Sequence, residues 1–247
     1  MRVDAQLLRS SVTLTLQRNF RIFCPESLTR SAQARHIIVF SLVFAGILGY
    51  LLGSVPAAYL LVRWKSKIDI RNAGSGNVGT LNSFQVTGSR SVGIAVLVLD
   101  LLKGAVSVWL AGTFWPDEVQ ASLVGGVASV LGHNFPIWLK FKGGRGLATA
   151  AGAMFVMGWV WIAIWGVGWG IGFLIWRKVN MGNALASVLL LFLIALVPTE
   201  MLRVLLSEWI RPTDFRYYGS ILMIIIVLRH IEPVVEYMKS RTLQKPE

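Results

Sequence analysis

Apolar runs long enough to cross a bilayer, joined by short connections rich in glycine and cations, decide what this chain can become. Residues 36–64 read HIIVFSLVFAGILGYLLGSVPAAYLLVRW. At 1.5 Å per helical residue, a run of that length covers a hydrocarbon core of about 30 Å. Residues 91–115 and 121–139 are two more such runs, and 147–158 with 159–176 form a glycine- and tryptophan-rich pair, the first of them short. Residues 184–197 span again. Residues 200–216 read as interfacial, because Leu202, Leu205, Leu206 and Trp209 fall at helical spacing. Residues 217–228 open the last helix. The expected fold is therefore an all-α polytopic bundle of about seven transmembrane helices. Composition agrees: 55% of the residues are hydrophobic and 15% charged, against about 25% charged in an ordinary soluble domain.

Charge sets the orientation. The net charge is +12, from 24 basic and 12 acidic residues. With seven spans, the connections 65–90, 139–146 and 177–182 and the C-terminus share one side, and they carry most of the Lys and Arg. The positive-inside rule makes that side cytoplasmic and leaves Asp117 and Glu118 outside. The cations sit in short loops and form no long stripe, so nucleic acid is not the expected partner. Cys24 is the only cysteine, which excludes an intrachain disulfide. His36, His133 and His230 lack local metal spacing, and neither metal nor cofactor is expected. Residues 1–35 hold six arginines and no apolar signal-peptide core. Parity places them outside, against the charge rule. They are expected to be a disordered or wrongly assigned extension, with 36–238 as the membrane domain and 239–247 as a cytoplasmic tail.

The stretch GHNFPIWLKFKGGRGLAT, residues 132–149, is built to hold an anion. Gly143, Gly144 and Gly146 let backbone N–H groups converge, Lys140, Lys142 and Arg145 supply counter-charge, and the run from Leu147 offers a helix N-terminus. The connection DIRNAGSGNVGTLN repeats the chemistry with Arg71, Ser75, Gly76, Asn77, Thr80 and Asn82, although such a loop also serves as a plain turn. Gly53-Ser54-Val55-Pro56 interrupts the first span. Either this is a kink, or its freed backbone groups face a polar pocket. Asp100 and Lys103 lie three residues apart within the second span. They read either as a structural ion pair or as a lysine aimed at an anion and held by its aspartate. Asn180 and Asn183 flank another basic turn.

The absences narrow the chemistry. The chain has no nucleophile elbow, no paired carboxylates and no metal-ligand cluster. Acyl transfer from an already activated donor needs little acid–base help, since a mixed anhydride leaves readily and a phosphate oxygen can take the hydroxyl proton.

GSVP, DIRNAGSGNVG, LDLLKG and GHNFPIWLKFKGGRGLAT, in this order and on these helices, resemble the bacterial acyl-phosphate:glycerol-3-phosphate acyltransferase family, PlsY. The resemblance covers about residues 51–230. It implies a seven-helix inner-membrane enzyme of phospholipid synthesis, with its active site facing the cytoplasm. Such an enzyme acylates position 1 of glycerol 3-phosphate from acyl phosphate, releases lysophosphatidate and phosphate, and uses a substrate-assisted mechanism without an obligate protein partner. Carried over by position, Ser54, Arg71, Ser75, Gly76, Asn77 and Asn82 match the first motif and Lys103 the second. His133, Asn134, Lys142, Gly143, Gly144 and Gly146 match the third, and His230 a histidine near the end of the last helix. The resemblance implies catalytic roles for Lys103, His133, Asn134 and His230, and substrate binding for the others together with Asn180 and Asn183. His133 also reads as a loop-packing histidine bonded to backbone.

The chain departs from the family pattern in places. The family's GATN and following Arg stand here as Gly79-Thr80-Leu81-Asn82 and Gln85, two expected serines are Asn180 and Asn183, a lysine is Arg145, and an asparagine is Pro233. A weakened paralogue with altered acceptor is thus one alternative, and a transporter or binding protein for a phosphorylated small molecule is another.

Overall fold

A computed structural model of the chain describes residues 26–242. The expectation for residues 1–25 and for the end of the tail, 243–247, lies outside the described residues. Ten α-helices and two 3-10 turns make up the secondary structure among them. The described residues from Leu42 onward pack as one unit; the described part of the other, Met1–Ser41, is the start of α1.

Helix α1, Glu26–Ser54, reaches ten residues further toward the N-terminus than the expected span. It stops at Ser54 because proline disfavours helical backbone at the residue before it and has no N–H to continue the ladder. Helix α2, Ala57–Ser66, restarts at once. The first expected span is thus two helices. Ser54 is wholly buried at the break. Its hydroxyl donates to the Leu51 carbonyl at 2.8 Å and accepts from the Trp138 indole N–H at 2.9 Å.

A 3-10 turn, Ile70–Asn72, and helix α3, Thr80–Thr87, hold the first polar connection. Helix α4, Arg90–Phe114, carries Asp100 and Lys103, and α5, Val119–Asn134, ends in His133 and Asn134. After the 3-10 turn Ile137–Leu139 comes the glycine loop, then α6, Leu147–Gly158. Helix α7, Val160–Trp176, follows across Trp159 alone. Helix α8, Val179–Leu196, is succeeded by the short α9, Thr199–Leu205, and by α10, Pro212–Thr242. The interfacial expectation for 200–216 resolves into α9, a connection and the first turn of α10.

By length and composition, Arg35–Ser66, Arg90–Phe114, Val179–Leu196 and Pro212–Thr242 can each cross a membrane, and Leu147–Gly158 and Val160–Trp176 are shorter apolar helices. With no strand among the described residues, this is a polytopic all-α membrane protein.

Two devices set the site. Helices α4 and α6 meet where a Cβ on Gly104 would enter the Thr149 carbonyl and one on Gly152 the Leu101 carbonyl. Small residues thus allow backbone-to-backbone approach, as membrane helices require when no water drives their packing. The Arg216 guanidinium of α10 donates to the Ile194 carbonyl at 3.3 Å and the Val197 carbonyl at 2.7 Å, satisfying the orphan C-terminal carbonyls of α8.

Candidate active site

A cavity of about 420 Å³ opens among α3, α4, α6, α7, α8 and α10, and its wall changes chemistry along its length. At the end near the connections, Ser75, Asn77, Thr80, Asn82 and Gln85 come from the first loop and α3. Asp100, His133, Arg145, Asn180, Asn183 and His230 complete that end. At the other end the wall is Met154, Trp161, Ile162, Trp165, Leu190 and Met223. Asn180 and Leu190 stand roughly 15 Å apart along α8, so the two ends are separate environments.

The first loop is held by Asn82, which is 1% exposed. Its Oδ1 accepts from the Ser75 N–H at 3.0 Å, while its Nδ2 donates to the Ala73 carbonyl at 3.1 Å and the Asn77 carbonyl at 3.0 Å. Asn82 therefore shapes the loop and presents Ser75 and Asn77 to the cavity. Arg71 faces elsewhere. Its Nη2 lies 2.6 Å from Asp69 Oδ2, and its guanidinium stacks over the Tyr59 ring at 5.3 Å. The hydrogen bond from Arg71 holds the Asp69 carboxyl below its usual range. Neither Arg71 nor Gly76 lines the cavity.

Arg229 of α10 organises the glycine loop. It donates to the Gly144 carbonyl through Nη2 at 2.9 Å and Nε at 3.1 Å, and stacks on Phe135 at 5.1 Å. The Gly144 N–H donates to the His133 carbonyl at 3.1 Å. A Cβ on Gly144 would strike the His133 ring and approach the Val78 carbonyl to 2.7 Å. Gly146 has φ +82°, where a side chain is strained, and it turns the chain into α6. Between these glycines, Arg145 is the residue that projects into the cavity, and its Nη1 donates to Asn180 Oδ1 at 2.8 Å. Burial pushes its pKa down, with Arg229 adding to the effect. Lys142 is exposed, and neither it nor Gly143 lines the cavity.

Asp100 links the two sides of α4. Its Oδ1 lies 2.9 Å from Lys103 Nζ and 3.5 Å from His133 Nδ1. Lys103 turns toward the helix break, donating to the Val55 carbonyl at 3.3 Å. It lines a cleft of about 10 Å³ with Ser54, Asp100 and His133. Lys103 and Ser54 thus stand behind the cavity wall, while Asp100 and His133 touch both spaces. Asn134 is wholly buried behind Gly146, and its carboxamide has no hydrogen-bond partner among the described residues. His230 Nδ1 lies 2.8 Å from the Ile226 carbonyl. A carbonyl only accepts, so Nδ1 carries the hydrogen. In the neutral ring, Nε2 is then an acceptor, and it too has no partner among the described residues.

The sequence model of the glycerol-3-phosphate acyltransferase family matches residues 43–240. This chain belongs to that family. Among its relatives is the glycerol-3-phosphate acyltransferase of Thermotoga petrophila, 40% identical over 164 residues, which cover 65% of this chain and 83% of the relative. The crystal structure of PlsY, an integral membrane glycerol 3-phosphate acyltransferase, in its glycerol 3-phosphate form is 30% identical. It superposes with a TM-score of 0.68 over 81% of this chain and 94% of that one. Its lysophosphatidic acid form gives 0.66 over 81% and 93%. As a family member the chain is an acyltransferase.

Of the acyltransferase residues expected from sequence, Ser75, Asn77, Asn82, His133, Gly146, Asn180, Asn183 and His230 gather around the cavity. Ser54, Arg71, Gly76, Lys103, Asn134, Lys142, Gly143 and Gly144 stand outside its lining. Arg145 carries a cation at the place expected of Lys142. The signal for it was present, since Arg145 alone of the three loop cations lies between glycines and beside the helix start. Arg229 and Trp161 carry no such signal, because their partners, the glycine loop and Phe215, are distant in sequence.

Proposed function

We propose that this acyltransferase moves an acyl group from acyl phosphate to the 1-hydroxyl of glycerol 3-phosphate, releasing lysophosphatidate and inorganic phosphate for phospholipid synthesis. The observation that carries the reading is one cavity with a phosphate-suited end and an apolar end, the shape of an amphiphile. The reaction would run at the cytoplasmic face of a bacterial inner membrane, without an obligate protein partner.

At the polar end, Arg145 and the free N–H groups of the α6 N-terminus favour phosphate. Ser75, Asn77, Asn180 and Asn183 add short donors from the two facing turns. His230 accepts from an acceptor hydroxyl through Nε2. Asp100 and Lys103 hold His133 and the helix break in place, and Arg229, Asn134 and Asn82 keep the loops in shape. Arg71 and Lys142 add positive charge to the connections around the site, and Gly76, Gly143 and Gly144 let those connections turn tightly. The hydroxyl oxygen attacks the acyl carbon, the bond from that carbon to the phosphate oxygen breaks, and phosphate departs with the hydroxyl proton. The lack of a dedicated nucleophile fits this substrate-assisted route, in which positioning supplies most of the acceleration.

Purified protein in nanodiscs is expected to form lysophosphatidate and phosphate in equal amounts from acyl phosphate and glycerol 3-phosphate, and none from acyl-CoA. Product no greater than in empty nanodiscs would overturn the reading, and so would turnover from acyl-CoA alone.

A further inference from the structure

The apolar end of the cavity is walled by buried side chains. Met154, Trp161, Leu190 and Met223 line it although each is at most 3% exposed, so they form its deepest walls. Trp161 sits where α7 begins, across from the glycine loop at the other end of α6. Helix α6 has 12 residues, so the distance from Arg145 to this floor is roughly 18 Å at 1.5 Å per residue. The indole cannot swing aside. It lies against the wholly buried Phe215 at 5.3 Å between ring centres, and a Cβ on Gly158 would already stand 3.2 Å from its Cδ1. Its N–H has no hydrogen-bond partner among the described residues, where packing holds it. Trp165 beside it is pinned differently, its N–H donating to Ser187 Oγ at 3.2 Å.

We propose that Trp161 is the residue that sets the longest acyl chain the enzyme accepts. This rests on the acyl-transfer reading and adds the specificity of that site. The roughly 18 Å depth compares with about 15 Å for one leaflet of a hydrocarbon core about 30 Å thick. The chamber is therefore about as deep as one leaflet's hydrocarbon, and a chain that exceeds this depth meets the indole. Shorter chains leave apolar wall unfilled and lose the burial of each missing methylene. Longer chains meet a floor that does not yield, which in a tight apolar pocket costs roughly tenfold or more. Ala151, half-buried on the same wall one turn from Met154, is the site where added bulk would raise the floor.

The test is kcat/KM for dodecanoyl, hexadecanoyl, octadecanoyl and docosanoyl phosphate at saturating glycerol 3-phosphate in nanodiscs. Wild type is expected to peak no later than hexadecanoyl and to fall roughly tenfold or more at docosanoyl. Trp161→Ala should move the optimum to longer donors, and Ala151→Leu to shorter ones. A purely structural role would lower all donors alike, so profiles of unchanged shape in both variants overturn the proposal. If Trp161→Ala does not fold, Ala151→Leu decides alone. If wild type turns over no donor, the acyl-transfer reading has failed separately. Thermal shifts with lysophosphatidates of the same chain lengths then read the chamber directly, and stabilisation indifferent to chain length, in wild type and Ala151→Leu alike, sinks the ruler.

Discussion

At Asn82 one carboxamide holds a loop of ten residues. Replacing it by alanine leaves the Ala73 and Asn77 carbonyls and the Ser75 N–H without their partner. Asn82→Ala should cost about 1–3 kcal/mol of stability and raise the KM for glycerol 3-phosphate, by thermal denaturation and steady-state kinetics. Arg145 is the cavity's cation, so Arg145→Ala should lower kcat/KM by about 10- to 100-fold, the worth of a charged hydrogen bond. Arg145→Lys should recover part of that loss, because the charge returns but the planar fork that reaches Asn180 does not. Asp69 gives a pH signature. Its folded pKa lies below the ordinary value of 3.8, so its pair with Arg71 stabilises the protein above about pH 4 and is lost as pH falls through the folded value. The two side chains stay 21% and 25% exposed, which keeps the contribution under about 1 kcal/mol. Asp69→Asn should flatten this acid limb of the melting-temperature profile.

At the scale of elements, the site depends on how closely helices approach. At the crossing of α4 and α6, Gly152→Val would push a branched side chain into the Leu101 carbonyl. Overpacking of this kind costs about 1–3 kcal/mol. It should also separate Asp100 on α4 from the glycine loop before α6, lowering activity more than Gly166→Val, whose position is open. Arg229 acts on an element as well, since it ties α10 to the glycine loop. Arg229→Ala should loosen the loop, seen as faster hydrogen exchange over residues 139–146 together with lost activity; unchanged exchange there would count against a clamp. These helices were readable as apolar runs, but the break at Ser54 was readable only as an interruption. Pro56 ends the helix locally, but that the buried Ser54 hydroxyl at this break accepts from Trp138, 84 positions along the chain, could not be read from the sequence.

For the whole molecule, the distribution of charge predicts the orientation. Asp117 precedes α5 and Lys140 follows it, so they belong to opposite ends of one helix. In a Cys24→Ser background, Lys140→Cys should react with a membrane-impermeant thiol reagent only in inside-out vesicles, and Asp117→Cys only in intact cells. The reverse pattern would invert the orientation. Family, helical class and the polar segments that build the site were all legible, because apolar run length and glycine–cation motifs are local properties of the chain. Less legible was which member of each motif faces the cavity. Arg71, Lys103 and Lys142 all read as phosphate ligands, yet Arg71 is taken by Asp69, Lys103 turns to the Val55 carbonyl and Lys142 is exposed.

The sequence by itself therefore determined a membrane-spanning all-α chain of this acyltransferase family, since hydrocarbon admits only segments that satisfy their own backbone and the motifs are contiguous. It took the tertiary structure to show that Arg145 is the cation lining the cavity, that Asp100 joins Lys103 to His133, and that the buried Trp161 lines the apolar end. Those facts depend on side chains from distant helices meeting at a few ångströms, and the pairings follow from where glycines let helices close together, which no local pattern specifies.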